Sequence, residues 1–123
     1  MNFEFIVSNN SGLPIYSYKS KESKNDHALV SGFLSAVISM VEYKSDSKVD
    51  NIELQNRNII FYKNDSKELV YILITDRKKD DKLVRKMEEI ARNFEGRYDS
   101  KLVNWNGETS AFFGFDEYLK KFR

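Results

Sequence analysis

Leu69-Val70-Tyr71-Ile72-Leu73-Ile74 is a run of six apolar residues in succession. Side chains of a strand point alternately to its two faces, so a run with no polar position must be covered on both faces. Six residues is a strand's length, too short for a buried helix. This strand therefore belongs inside its sheet, with a neighbour on each side. Upstream, Asn64-Asp65-Ser66 is a turn cluster, and Val49 to Gln55 and Asn58 to Lys63 read as two strands joined tightly near Asn56-Arg57. Short connections pair neighbours, so these three strands form a meander.

The mate on the other side comes from the start of the chain. Phe3, Phe5 and Val7 alternate with Glu4 and Ser8, a period of two that predicts a strand with one face buried. Asn9-Asn10-Ser11-Gly12 then turns the chain into a second strand from Leu13 to Tyr18. Pro14 has no N–H to give a ladder, which sends this strand to an edge. A five-stranded antiparallel sheet of order 2-1-5-4-3 satisfies both demands.

Helical spacing fills the remaining segments. Lys19 to Asn25 is a polar loop, and Asp26 is placed to cap a helix from His27 to about Tyr43. Its stripe is Val30, Phe33, Leu34, Val37 and Val41, widened by Leu29, Ala36, Ile38 and Met40. A helix apolar over so much of its girth is deeply buried or shares a second face with a partner. Asp80 or Asp81 opens another helix, with Leu83, Met87, Ile90, Ala91, Phe94 and Tyr98 on one stripe and Gly96 near its end. Phe112, Phe115, Leu119 and Phe122 predict a short third helix. The element order is β-β-α-β-β-β-α-α. It gives an α+β fold, a three-layer α/β/α sandwich with the first helix on one face and the later two on the other. The length of 123 residues fits one domain, 1–123.

Composition narrows the function classes. Lys and Arg number 20 against 19 Asp and Glu, a formal net charge of +1 without the massed basic surface that coats nucleic acid. There is no Cys, and His27 stands alone, which removes disulfides, thiolate metal sites and every motif needing two histidines. No stretch reaches the roughly 20 apolar residues of a membrane span. The start Met1-Asn2-Phe3-Glu4 has no basic region or signal-peptide core, so a cytoplasmic location is expected. Neither Gly-x-Ser-x-Gly nor Gly-x-x-x-x-Gly-Lys-Ser/Thr occurs, leaving covalent hydrolysis and the usual phosphate cradle unsupported.

The element order, the chain length and the segment Ser11-Gly12-Leu13-Pro14-Ile15-Tyr16 leading to Leu29-Val30-Ser31-Gly32-Phe33-Leu34-Ser35-Ala36 resemble the longin family. The strand end Leu73-Ile74-Thr75-Asp76, followed by a charged amphipathic helix, fits the same pattern. The chain is also similar to free-standing longin-like and roadblock-like proteins of archaea. Roadblock domains usually begin with a helix, whereas this chain begins with a strand, which favours longin. The resemblance implies a non-catalytic platform of small-GTPase and membrane-trafficking machinery, with a GTPase or another longin or roadblock subunit as partner in a homo- or heterodimer. With neither a heptad coiled coil nor an anchor before Arg123, a SNARE role is not expected.

Individual residues are weighed against plainer roles. His27 beside Asp26 is a helix-start residue before it is a pH-sensitive or metal group. Asp76, Asp80 and Asp81 lack EF-hand spacing and are neutralised by Arg77, Lys78, Lys79 and Lys82, so a solvated loop with a cap is expected. Ser31, Ser35 and Ser39 recur every four residues; they let the helix pack closely on its own sheet or line a groove for a partner. Tyr16, Tyr18, Tyr43, Tyr62 and Tyr71 suit half-buried strands better than base stacking. Trp105 is an anchor for the last helix or a projecting contact. Val49, Ile52 and Leu54 lie on the outer strand without proline, whose unpaired amides and carbonyls invite another chain. The resulting expectation is a protein-interaction module without cofactor or metal, with Val49, Ile52, Leu54, Ser31, Ser35 and Ser39 as partner-binding residues. A small-molecule sensor of profilin-like or PAS-like shape is the alternative, disfavoured because no set of inward polar residues stands out.

Overall fold

The computed structural model describes residues 3–9, 14–20, 50–54, 57–64, 67–78, 80–103 and 109–122. Five strands, β1 (Phe3–Asn9), β2 (Pro14–Lys19), β3 (Asp50–Leu54), β4 (Arg57–Asn64) and β5 (Leu69–Thr75), form one antiparallel sheet of order β2-β1-β5-β4-β3. They are followed by a long helix, α1 (Asp81–Val103), a 3₁₀ turn (Thr109–Phe112), a short helix, α2 (Phe115–Leu119), and a second 3₁₀ turn (Lys120–Phe122).

Every residue of β5 is buried. Its odd-numbered side chains, Leu69, Tyr71 and Leu73, join Phe3, Phe5 and Val7 of β1 and the α1 stripe Leu83, Met87, Ile90, Ala91, Phe94 and Tyr98 in one core. Val70, Ile72 and Ile74 join Ile6, Ile59 and Phe61 in a second core on the opposite face. The helix expected over 27–43, with His27, Ser31, Ser35 and Ser39, lies outside the described residues.

The structure corrects three expectations. β1 is not half-solvated: Phe3 through Ser8 are all buried. It runs between β2 and β5, and by alternation Glu4, Ile6 and Ser8 face the second core's side, where Ile6 packs and the Ser8 hydroxyl donates to the Asn9 carbonyl at 2.9 Å. α1 does not stop near Gly96 but continues to Val103. The stripe itself continues, with Tyr98 buried and Leu102 packed against the core, and this outweighs the propensity cost of one glycine. The third helix is not continuous: α2 holds Phe115 and Leu119, while Phe112 and Phe122 fall in the flanking 3₁₀ turns.

Local chemistry sets the ends of the elements. The Asp80 carboxylate accepts the Leu83 N–H at 2.7 Å, satisfying one of the orphan amides of α1's first turn. Asn58 Nδ2 donates to the Arg77 carbonyl at 2.7 Å, holding the β5–α1 loop to β4. In the β4–β5 turn, Asn64 Oδ1 accepts from the Lys67 N–H at 3.4 Å, and Glu68 takes a φ of 56°. Ser20 extends the first hairpin, its N–H donating to the Phe3 carbonyl at 3.0 Å and its hydroxyl accepting the Phe3 N–H at 3.1 Å.

Candidate functional site

Among the described residues the sheet has two edge strands, and they differ. On β2, Pro14 withholds a donor, and the register slips between Val7 and Ser8, so that two β2 residues span one step of β1. A bulge of this kind bends an edge away from a flat docking geometry. The 3₁₀ turn Thr109–Phe112 packs beside β2, and the Tyr16 hydroxyl donates to the Asp116 carboxylate at 2.5 Å, fastening β2 to α2.

Among the described residues β3 shows none of these devices. It pairs with β4 in unbroken register, Asp50 to Leu54 against Phe61 to Arg57, and among the described residues nothing pairs with its other side. Ile52 stands opposite Ile59 and Leu54 opposite Arg57; Val49 lies outside the described residues. Glu53 and Arg57 are exposed. Of the six candidate partner-binding residues, the structure thus places two, Ile52 and Leu54, on one open strand edge. Each alternate residue there directs its backbone N–H and C=O outward, an arrangement that can hydrogen-bond an incoming strand.

The side of the sheet under α1 is packed with rings. Phe94 stands at the centre of a ring cluster, 5.8 Å from Tyr16, 6.2 Å from Tyr71, 5.1 Å from Tyr98, 5.4 Å from Phe112 and 5.3 Å from Phe115. Buried phenols need partners. Tyr71 donates to Glu95 Oε1 at 2.8 Å, and the same oxygen accepts from Asn64 Nδ2 at 2.6 Å, tying β4 and β5 to α1. Burial, reinforced by the carboxylate that each phenol faces, pushes both Tyr16 and Tyr71 well above the ordinary tyrosine range. Both remain protonated donors at neutral pH, suited to structure rather than to acid–base chemistry. The Arg97 guanidinium lies 5.6 Å from the Phe115 ring centre and 5.2 Å from that of Tyr118.

Sequence reasoning missed Glu95 and Asp116 as acceptors and Phe113 as a projecting ring. The bonds of Tyr71 to Glu95 and Tyr16 to Asp116 span 24 and 100 residues, so no local spacing could reveal them. Phe113 is 57% exposed between two fully buried phenylalanines, Phe112 and Phe115; only the break in the third helix reveals it. Asp80 caps α1 and lies 4.0 Å from Arg77. Among the described residues no group of three or more His, Asp or Glu side chains is arranged to hold a metal ion, and no helix is long and apolar enough to cross a membrane.

A model of the family described as the first longin domain of FUZ, MON1 and HPS1 matches residues 3–94. The chain belongs to this longin family. The match runs from the first residue of β1 to Phe94 in α1, and so takes in all five strands of the sheet. A search of curated proteins gives no match. Membership supports a protein-interaction module, and longin domains of this family are typically non-catalytic.

Proposed function

We propose that this longin domain is a non-enzymatic interaction module of a small-GTPase or membrane-trafficking-type complex in the cytoplasm, and that all of 1–123 acts as one such domain. Its partner is a small GTPase or another longin or roadblock subunit, held in a homo- or heterodimer through the open edge of β3, with Val49, Ile52 and Leu54 at the contact. Ser31, Ser35 and Ser39 supply a close-packing stripe for the same partner. The observation that carries this reading is the contrast between edges in a chain of this family: β2 is blocked by Pro14 and a register slip, while β3 continues the sheet in regular register with no strand described beyond it. An open edge of this kind is either protected or used.

Size-exclusion chromatography with light scattering tests it, on the protein alone and mixed with small GTPases loaded with GDP or a GTP analogue. A dimer or a stable GTPase complex is expected. Ile52→Lys should leave circular dichroism unchanged while weakening the assembly. A strictly monomeric protein that holds no GTPase, longin or roadblock subunit would remove the proposal.

A further inference from the structure

Phe115 sits among four rings that belong to three elements. Its ring centre is 6.2 Å from that of Phe5 on β1, 5.7 Å from Tyr16 on β2, and 5.3 and 6.2 Å from Phe94 and Tyr98 on α1. Phe112, one turn earlier, lies 5.4 Å from Phe94 and 5.1 Å from Tyr98. The sheet and α1 thus form an aromatic trough, and residues 109–122 lie in it. We infer that this trough is a docking site for an amphipathic helix of a protein partner. That helix carries aromatic anchors three residues apart and a carboxylate directly after the second, and 109–122 is the ligand that this chain seats there itself. The trough lies on the β2 side of the sheet, away from β3.

The segment is built as a bound peptide is built. α2 has five residues between two 3₁₀ turns, too few for a helix that keeps its shape alone. Backbone bonds close within the segment: the Asp116 N–H donates to the Phe113 carbonyl at 3.1 Å, and the Lys120 N–H donates to the carbonyls of Asp116 and Tyr118. Gly114 at its N-cap adds no side-chain bond. Side chains fasten the segment to the rest of the domain. Phe112, Phe115 and Leu119 are fully buried on one side, while Phe113, Glu117 and Lys120 are exposed on the other. Anchors at i, i+3 and i+7 on one face are the pattern of a helix laid in a groove.

Two contacts make the trough selective. The Tyr16 hydroxyl donates to the Asp116 carboxylate, so the position after the second anchor is read as a charged acceptor. The Arg97 guanidinium lies over the rings of Phe115 and Tyr118, which favours aromatic over aliphatic side chains at both positions. Phe5, Tyr16 and Phe94 fall within the family match at 3–94, whereas the segment that fills the trough lies beyond it. Most of the trough and its occupant are therefore separable in sequence. Attached to the chain, the segment competes at an effective concentration on the order of millimolar. A partner helix enters when it makes more of these contacts, or when the segment is loosened.

A fluorescein-labelled peptide of residues 109–122, titrated against the full chain and followed by anisotropy, tests the site. Phe115→Ala in the chain removes the second anchor and leaves the lining of the trough unchanged. The peptide should bind that variant at least roughly tenfold more tightly than the parent, whose own segment competes. A peptide carrying Phe115→Ala should not bind, and one carrying Asp116→Asn should bind several-fold more weakly. Equal binding of the Asp116→Asn and unsubstituted peptides overturns the carboxylate requirement. A folded Phe115→Ala chain that binds the peptide no better than the parent does overturns the site. If that variant fails to fold by circular dichroism, native-state hydrogen exchange of the parent decides. The amides of Asp116 and Lys120 should exchange through an opening that leaves those of 87–94 protected. Exchange of both sets only through global unfolding would mean that the trough is never vacated, and the site falls.

Discussion

Under α1 and α2, the sheet is covered by rings: Phe3, Phe5, Tyr16, Tyr18 and Tyr71 on the strands meet Phe94, Tyr98, Phe112, Phe115 and Tyr118 on the helical side. The opposite face holds Ile6, Ile59, Val70, Ile72 and Ile74 with one ring, Phe61. Both clusters exclude water, and they differ in chemistry. The rings carry phenols, and two of these donate to Glu95 on α1 and Asp116 on α2, bonds that depend on angle as well as distance. The six described side chains of the second cluster carry no donor or acceptor of their own. The ring side thus fixes where α1 and α2 sit by directional bonds as well as by buried area.

The harshest way to break this comparison is a charge in the shared middle of the sheet. Leu73→Asp places a carboxylate at a fully buried position on the ring side of β5. An unpaired buried charge costs several kcal/mol, against a total stability of roughly 5–15 kcal/mol for a domain. Loss of the cooperative thermal transition is expected, and a variant that melts like the parent would refute the central placement of β5. Phe94→Ala comes next. It empties the centre of the ring cluster and should cost about 3–5 kcal/mol in urea unfolding. Ile72→Val, which trims one methylene from the aliphatic face, should cost about 0.5–1.5 kcal/mol. A Phe94 cost as small as that of Ile72→Val would show that the rings are not the framework of their side.

What the sequence disclosed follows the same division. Non-polar runs and prolines are local, and they located β5 in the interior and Pro14 on an edge strand. The alternation in β1 misled because Glu4 and Ser8 look solvated by type. Both are buried all the same, and Ser8 meets its need with the adjacent Asn9 carbonyl. α1's stripe was legible as far as Tyr98, but Gly96 suggested an end that the continuing contact of Leu102 overrides. For the candidate site, β3 was legible as an outer strand without proline. The directional ties of the ring side were not, because both join residues distant in the chain and each depends on a fold already made.

Removing those ties without removing the rings sharpens the comparison at smaller amplitude. Tyr71→Phe and Tyr16→Phe each delete one phenol–carboxylate bond and should cost about 1.5–3 kcal/mol, the range for hydrogen bonds to charged groups. pH gives an independent readout. Both phenols are raised in the folded state, so the native protein keeps protons that the unfolded chain releases above the ordinary tyrosine value of 10.0. Their contribution is fully present below about pH 10 and declines as pH rises beyond it. Urea midpoints should therefore fall above that pH in the parent and fall less steeply in Tyr16→Phe. Equal slopes would mean that the Tyr16 phenol is not held protonated in the native state.

The smallest effect has the opposite sign and lies away from both faces. Gly96 sits on the exposed side of α1, and a Cβ added there would meet nothing within 4 Å. Replacing a helical glycine with alanine gains up to about 1 kcal/mol by restricting the unfolded chain and favouring the helix. Gly96→Ala should raise the urea midpoint accordingly, provided the turns carrying Tyr98 and Leu102 unfold together with the ring core. If that last stretch frays independently, the gain appears only in local hydrogen exchange of 97–103 while the global midpoint stays where it was. The substitution therefore measures whether the ring side is one cooperative unit up to the end of α1, or whether its directional ties stop holding the helix at Glu95.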